Sequence, residues 1–407
     1  METENVKKQG ASGSAAPADT SPSADKASSG VKQATGKQLV VVVFVLSLAT
    51  KMFLLPIYLI QETGRDGYLV LTACIALDLV SLGLMLCAMW VARDTDFFTL
   101  LESVIGKPCA KIVVALVAAF LFFKLNIATA ETVTFYSDNV FAEFDVALMI
   151  IVLLVFLLLV ARHTLRALCR LNELVAPLIA VGVIALGVIV VMTGFDRANI
   201  FPVAETPLKV GNALVRHASW VGDFTPLIMF VGRTQVKKRT MPIAAASGLI
   251  GAGAPVFFAV VLCSAFGNIP MYVDSSTNIA NILQFSIGSV YGRLDLFSSV
   301  LWSVAAFVET ALIFYALSRC VEYVIGRPAH IAVGLGACVA LYFVQVFAMT
   351  DPTVFSAVMS SPVASISTTV FTLAIPALAI VCGAVKKLRM RNSERGIEKE
   401  GGKKNEA

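Results

Sequence analysis

The sequence predicts an all-α integral membrane protein of about ten transmembrane helices, arranged as a five-plus-five inverted repeat with the first and sixth helices broken. Three observations predict it. The 407-residue chain is 57% hydrophobic and only 14% charged, with a mean hydropathy of +0.82, whereas soluble domains carry about 25% charged residues. Apolar runs long enough to cross roughly 30 Å of hydrocarbon as a helix recur along the chain. Two of those runs are interrupted by a charge followed by a proline. A β-barrel is excluded because its strands would alternate polar and apolar residues, and VALMIIVLLVFLLLV at 146–160 is apolar on every face.

Taken in order, residues 1–36 are rich in Ser, Ala, Gly and Lys and contain no apolar run. Such a composition buries too little to repay ordering, so a disordered cytoplasmic tail is expected there. With no apolar stretch before a cleavage site, it is no secretory signal peptide. Spans are read near 39–60, 68–91, 112–137, 146–162, 171–193, 218–232, 243–267, 295–318, 329–348 and 363–385. The first contains SLATKMFLLP, with Lys51 at mid-depth and Pro56 behind it. The sixth contains SWVGDFTPLIMF, with Gly222-Asp223 and then Pro226. In each, a serine precedes the charge by four residues: Ser47 before Lys51, Ser219 before Asp223. Five spans precede the sixth and four follow it, so the interruptions occupy corresponding places in two halves, the pattern of an inverted-repeat transporter fold. Two unrelated proline kinks are the plainer alternative, since membrane helices tolerate them. The domain is read as 37–390, and 391–407 as a charged, solvated cytoplasmic tail.

The basic residues fall mainly at one set of span ends, among them Lys107, Lys111, Arg162, Arg166, Arg233, Lys237, Lys238, Arg239, Arg319 and Lys386. The alternate ends hold Arg65, Arg197, Lys209, Arg216 and Arg293. By the positive-inside rule this asymmetry puts both termini in the cytoplasm, the 194–217 and 268–292 connections outside, and 233–240 inside. The basic patches are therefore topological signals, and nucleic acid is not an expected partner. The eight cysteines are scattered, mostly within spans (Cys74, Cys87, Cys263, Cys338, Cys382), and form no metal-ligand or disulfide pattern. They read as small apolar packing residues; no metal and no cofactor are expected.

A charge at bilayer depth costs at least about 2.5–3.5 kcal/mol, so each ionisable group inside a span needs a partner or a wet cavity. Six qualify: Lys51, Asp78, Lys124, Glu131, Asp223 and Glu309. Two are basic and four acidic, so complete mutual neutralisation leaves two acids over, to be protonated or paired with a cation. Lys124 and Glu131 lie seven residues apart, about 10 Å along the axis, so a direct pair would stretch both; Glu131 is also read as reaching the outer surface. Asp78 stands alone among Leu and Val, open to a structural or a transport role. Lys51 is read as facing Asp223 across the centre, with snorkelling or a pair to Glu309 as alternatives. Glu309 lies among Ser298, Ala305, Ala306 and Thr310, small or hydroxyl residues that let helices approach closely, and is read as facing a central cavity or as a buried structural carboxyl. GLIGAG at 248–253 sits inside an apolar span and reads as helix packing rather than a phosphate loop. No catalytic constellation is present, and an enzyme is not expected.

Several stretches together resemble the spore-germination permeases, the B subunits of germinant receptors, within the amino acid–polyamine–organocation superfamily. They are TLLESVIGKPCAKIVV (99–114), RLNELVAPLIAVGVIALGVIVVM (170–192), NIFPVAETPLKVGNALVRHASWVGDFTPLIMFVG (199–232) and GRLDLFSSVLWSVAAFVETALIFYAL (292–317). The resemblance spans roughly 37–390 and rests on the order of several weak motifs. It implies a ten-span fold with a germinant pocket between the broken spans 1 and 6, lined by spans 3 and 8. Carried over position by position, it favours Ala49, Thr50, Lys51, Asn126, Ser219, Val221, Gly222, Asp223 and Trp302. The family usually has small residues at the first break, where this chain has Ala49-Thr50-Lys51, and commonly Gly-Glu at the second, where this chain has Gly222-Asp223. A lysine there would occupy the place of a ligand ammonium or a coupling cation.

The resemblance also implies the function and its setting: a subunit in the spore inner membrane that senses a small germinant, an amino acid or similar solute, alongside an A-type membrane subunit and a C-type lipoprotein. A cation-coupled amino-acid or organic-solute transporter is the main alternative, and a scaffold subunit that has lost its ligand is a third.

Overall fold

The computed structural model describes residues 33–49, 51, 54–139, 145–194, 197–201, 203, 207–266, 294–328 and 330–405. Thr50, most of the 1–36 tail and the 268–292 connection lie outside them. The described residues form helices α1 (Gly36–Leu48), α2 (Leu54–Thr63), α3 (Gly67–Val91), α4 (Phe97–Ile105), α5 (Lys107–Asn139), α6 (Val146–Ala161) and α7 (Leu165–Gly194). After these come α8 (Pro207–His217), α9 (Thr240–Phe266), α10 (Leu294–Ile325), α11 (His330–Val344), α12 (Pro352–Met359) and α13 (Pro362–Asn405). No strand forms among them; one isolated bridge joins Ala34 to Thr234.

Among the described residues, seven stretches, including α5, α7, α9 and α10, are long and apolar enough to cross a membrane, and α1 and α6 are shorter apolar helices. Ten spans result because the first is divided into α1 and α2 and the sixth into α8 with two short 3-10 turns, Ala218–Trp220 and Thr225–Phe230. The sixth span departs from the sequence reading: its outer half begins at Pro207, within what reads as a connection. Lys209, Arg216 and the low apolar content of α8 hide it, yet Ala213 and His217 are buried against its neighbours. The last helix also continues well past the predicted end of its span, to Asn405.

The distribution of side chains is that of a protein solvated by lipid. Val152 and Val155 on α6 and Leu174, Val181 and Ile184 on α7 face outward, more than 40% exposed. Lys51, Asp78, Lys124, Glu131, Asp223 and Glu309 are all within 4% of complete burial. Apolar surface outside and charge inside is stable only where the surroundings are hydrocarbon; the chain is an integral membrane protein.

Two devices position the first break. Thr35 caps α1, its hydroxyl accepting from the Gln38 amide at 3.3 Å while the Gln38 side chain accepts from the Thr35 amide at 2.9 Å, a reciprocal capping box. Glycines in the GLIGAG stretch then let α9 press against α1 and α3. A Cβ on Gly251 would fall 2.7 Å from the Phe44 carbonyl, and one on Gly248 would run into the Leu82 side chain. Helix packing, not phosphate binding, is what these glycines serve.

Candidate functional site

Helix breaks matter because they expose backbone groups that a continuous helix would satisfy internally. At the second break, Val221 is extended and Gly222 has φ +112°, a conformation L side chains rarely adopt. A Cβ on Gly222 would also lie 2.6 Å from the Thr372 hydroxyl and 3.2 Å from Phe120. Glycine is required here on both grounds. The liberated Gly222 N–H donates to Asp78 Oδ1 at 2.7 Å.

Around that amide, four charges from four elements meet. The Lys51 ammonium donates to both Asp78 Oδ2 and Asp223 Oδ2. Lys124 Nζ donates to Asp223 Oδ1 at 3.0 Å and to the carbonyls of Trp220 and Val221 at 3.3 and 3.2 Å. Two ammonium groups and two carboxylates therefore cancel within one connected network. Asp78, solitary on its own helix, is an anchor of this cluster: one oxygen holds Lys51 and the other holds the sixth-span backbone. Lys124 turns to Asp223 rather than reaching for Glu131.

The other residues implied by the resemblance surround the cluster unevenly. Trp302 Nε1 donates to the Ala49 carbonyl at 2.9 Å, fixing the end of α1, and its ring lies 4.2 Å from that of Phe135. Asn126 donates back to the Phe122 carbonyl at 2.8 Å, and its own oxygens accept from Gln345 Nε2 at 2.9 and 3.2 Å. Ser219 is directed to α12 and the last span, its hydroxyl donating to the Met359 carbonyl at 2.6 Å and its amide to Ser365 Oγ at 3.2 Å. The structure thus brings Lys51, Asp78, Lys124, Val221, Gly222 and Asp223 together and leaves Asn126, Ser219 and Trp302 as supports.

The Glu131 carboxyl makes no ion pair with the cluster. Glu131 is 1% exposed and does not reach the outer surface as one sequence reading allowed. Neither of its carboxyl oxygens has a hydrogen-bond partner. It lies within electrostatic reach of Glu309, Asp223, Lys124 and Lys51. Contacts between Lys111 and Val324 and between Phe135 and Trp302 set α5 and α10 antiparallel, placing Glu309 about one helical turn from the level of Glu131. They are the two acids by which the charge count exceeds the lysines.

Sequence reasoning passed over Gln345, which starts a wider π turn at Gln345–Met349, and Trp220, whose indole N–H is buried without a partner. A polar residue inside an apolar span is a legible signal for the first. Nothing in the sequence marks the second.

At the end of the bundle where the basic loops gather, a cavity of about 1180 Å³ is lined by Lys111, Arg233, Arg319, Glu322, Tyr323 and Lys386 among others. A smaller one of about 270 Å³ lies beside Trp220. No group of His, Cys, Asp and Glu suited to a metal ion occurs among the described residues.

The architecture is similar to that of solved transporters. Mhp1, a nucleobase-cation-symport-1 family transporter in a closed conformation with bromovinylhydantoin bound, matches with a TM-score of 0.57 at 13% identity, over 86% of this chain and 81% of that one. A manganese transporter of Eremococcus coleocola, in a mutant form, matches with a TM-score of 0.49 at 11% identity, over 84% of this chain and 76% of that one. At such identity the first likeness speaks for the fold alone. No curated protein shows significant similarity to the sequence. The model of the family described as spore germination protein matches residues 33–354, from just before the α1 cap into α12, and the chain belongs to that spore germination permease family.

Proposed function

We propose that the protein is the membrane subunit of a spore germinant receptor, which binds a small polar germinant, an amino acid or similar solute, near its paired helix breaks and signals through partners. Family membership supports the setting: the spore inner membrane, an A-type membrane subunit and a C-type lipoprotein, with both termini cytoplasmic by the positive-inside rule. The observation that carries the reading is the self-neutralised cluster. A carrier driven by a metal cation needs uncompensated oxygen ligands at its break, and here both Asp78 and Asp223 are already held by Lys51. Such a centre suits a two-state switch whose internal ion pairs re-form around a bound solute better than a cation-driven pump.

The transporter reading has one observation of its own, the Glu131 carboxyl, which lies buried and without a hydrogen bond near Glu309 and is chemically able to carry a proton. One experiment separates the two. Deletion of the gene in its sporulating host should abolish germination by one class of germinant and leave uptake by growing cells unchanged. Lost uptake with normal germination would overturn the receptor reading in favour of the transporter.

A further inference from the structure

Two cavities meet at the end of the bundle where the basic loops gather. One is the polar cavity of about 1180 Å³, and the other an apolar groove of about 570 Å³ between α5, α10 and α11. Ile325, the last residue of α10 and 54% exposed, lines both, so they form one continuous surface. The groove follows Leu317, Val321 and Ile325 along α10 and Ala332, Gly336 and Ala340 along α11. Each series runs about 12 Å along its helix, from one membrane face into the hydrocarbon. Small side chains keep the groove open: a Cβ on Gly336 would meet nothing within 4 Å.

At the mouth, the acids are engaged and the cations are left over. Glu322 is held by Arg319 at 2.8 Å and by His330, and Glu102 accepts from the Tyr323 hydroxyl at 2.9 Å. Asp96 caps α4, and Asp94 lies 3.4 Å from Arg93. Lys107 and Arg327, by contrast, are exposed and enter no ion pair among the described residues. Lys111, one turn beyond Lys107, gives one donor to the Val324 carbonyl at 2.8 Å, and an ammonium has three.

We propose that the groove and its mouth bind one anionic glycerophospholipid, with an acyl chain along α10 and α11 and the phosphate against Lys107, Lys111 and Arg327. Basic pockets between spans suit anionic headgroups, and the groove volume lies within the ~300–1,000 Å³ of ligand sites. The first turns of α5, at Lys107, and of α11, at His330, begin at the same mouth, and their amide dipoles add to its positive potential. Small residues would also admit a partner's helix. The mouth decides between the two occupants: leftover cations at one end of an apolar groove match an anion joined to a hydrocarbon chain, which a phospholipid supplies in one molecule. By the positive-inside rule the site belongs to the cytoplasmic leaflet. It is independent of the receptor reading. The lipid braces α10, whose Trp302 holds the end of α1, against α5 and α11.

The test uses the full chain, purified in detergent and titrated with phosphatidylglycerol, with phosphatidylcholine of the same acyl chains, and with glycerol 3-phosphate. Thermal midpoint and lipid retained in native mass spectrometry are the readouts. Phosphatidylglycerol should raise the midpoint saturably, and neither the zwitterionic lipid nor the chainless phosphate should match it. Lys107→Gln/Arg327→Gln, at two exposed positions, should weaken that binding about tenfold or more. Lys237→Gln/Lys238→Gln removes the same charge from exposed positions outside the mouth and should leave binding unchanged. Gly336→Leu, which fills the groove, should abolish the preference for phosphatidylglycerol; if that variant folds poorly, the two charge variants still decide. Equal weakening by both charge variants would mean diffuse surface attraction and overturn the site. Equal binding of the two lipids would overturn the headgroup contacts, and undiminished binding in a folded Gly336→Leu the groove. If the wild-type chain shows no lipid preference while Gly336→Leu loses a co-expressed A-type subunit, the groove belongs to a partner helix and the lipid proposal falls.

Discussion

A charged side chain at bilayer depth carries an insertion cost of about 2.5–3.5 kcal/mol, and Lys51 offsets it by lying between two carboxylates, Asp78 and Asp223. Removing one member of a buried ion pair costs about 3–5 kcal/mol, because the partner stays buried and uncompensated. With Lys51 and Lys124 against Asp78 and Asp223, the cluster is +2 and −2. Lys51→Met leaves it at −1, and adding Asp78→Asn returns it to zero. The single variant should therefore show strongly reduced membrane abundance and a lowered thermal midpoint, and Lys51→Met/Asp78→Asn should recover most of both. Equal loss in the single and double variants, measured by fluorescence-detected size exclusion, would mean that geometry rather than charge balance governs the site. The pairing of Lys51 with Asp223 was one of several options open in the sequence. Its pairing with Asp78 was invisible there, since nothing in a run of Leu and Val tells which neighbouring helix an aspartate faces.

At the scale of the element, the second break depends on one residue. Gly222 combines φ +112° with a Cβ position 2.6 Å from Thr372 Oγ1. Non-glycine residues in such conformations cost of the order of 1–3 kcal/mol, and the close contact adds to that. Gly222→Ala should lower the thermal midpoint clearly and disturb the Asp78 contact, which depends on the Gly222 amide. Gly83, inside α3, makes the contrast, because a Cβ added there would meet nothing within 4 Å. Gly83→Ala should be neutral or stabilising by up to about 1 kcal/mol. If the two substitutions behave alike, the break tolerates an ordinary residue and its special backbone is not what orders the cluster. The proline and the Gly-Asp pair announced this break. Its outer half, α8, was missed because polar residues along Pro207–His217 dilute the apolar signal that marks the other spans.

At the scale of the whole molecule, orientation follows from charge, since Lys and Arg in short connections resist translocation. Cysteines introduced singly at Lys238 and at Ala198, in a background without accessible native thiols, should label from opposite sides. Lys238→Cys should react only after permeabilisation and Ala198→Cys in intact cells. Labelling of position 238 from outside would reverse the bundle, exchanging the sides on which the basic 1180 Å³ cavity and the Trp220 cavity open.

The sequence by itself determined that the chain is a membrane bundle, where its spans lie apart from the outer half of the sixth, that two of them are broken, and which six ionisable groups must find partners inside. Those properties depend on composition, on run length and on the cost of charge in hydrocarbon, all of which can be read along one dimension. Only the tertiary structure decided how those groups are arranged. Lys51 joins Asp78 and Asp223, Lys124 joins Asp223, and the Glu131 carboxyl is left without a hydrogen bond. It also decided that Trp220 and His217, from the missed half of the sixth span and the break beside it, line one cavity. Contacts between residues as distant as 51 and 223 depend on how helices cross and on where a backbone bends. Many helix arrangements satisfy the same hydropathy profile, and only packing selects among them.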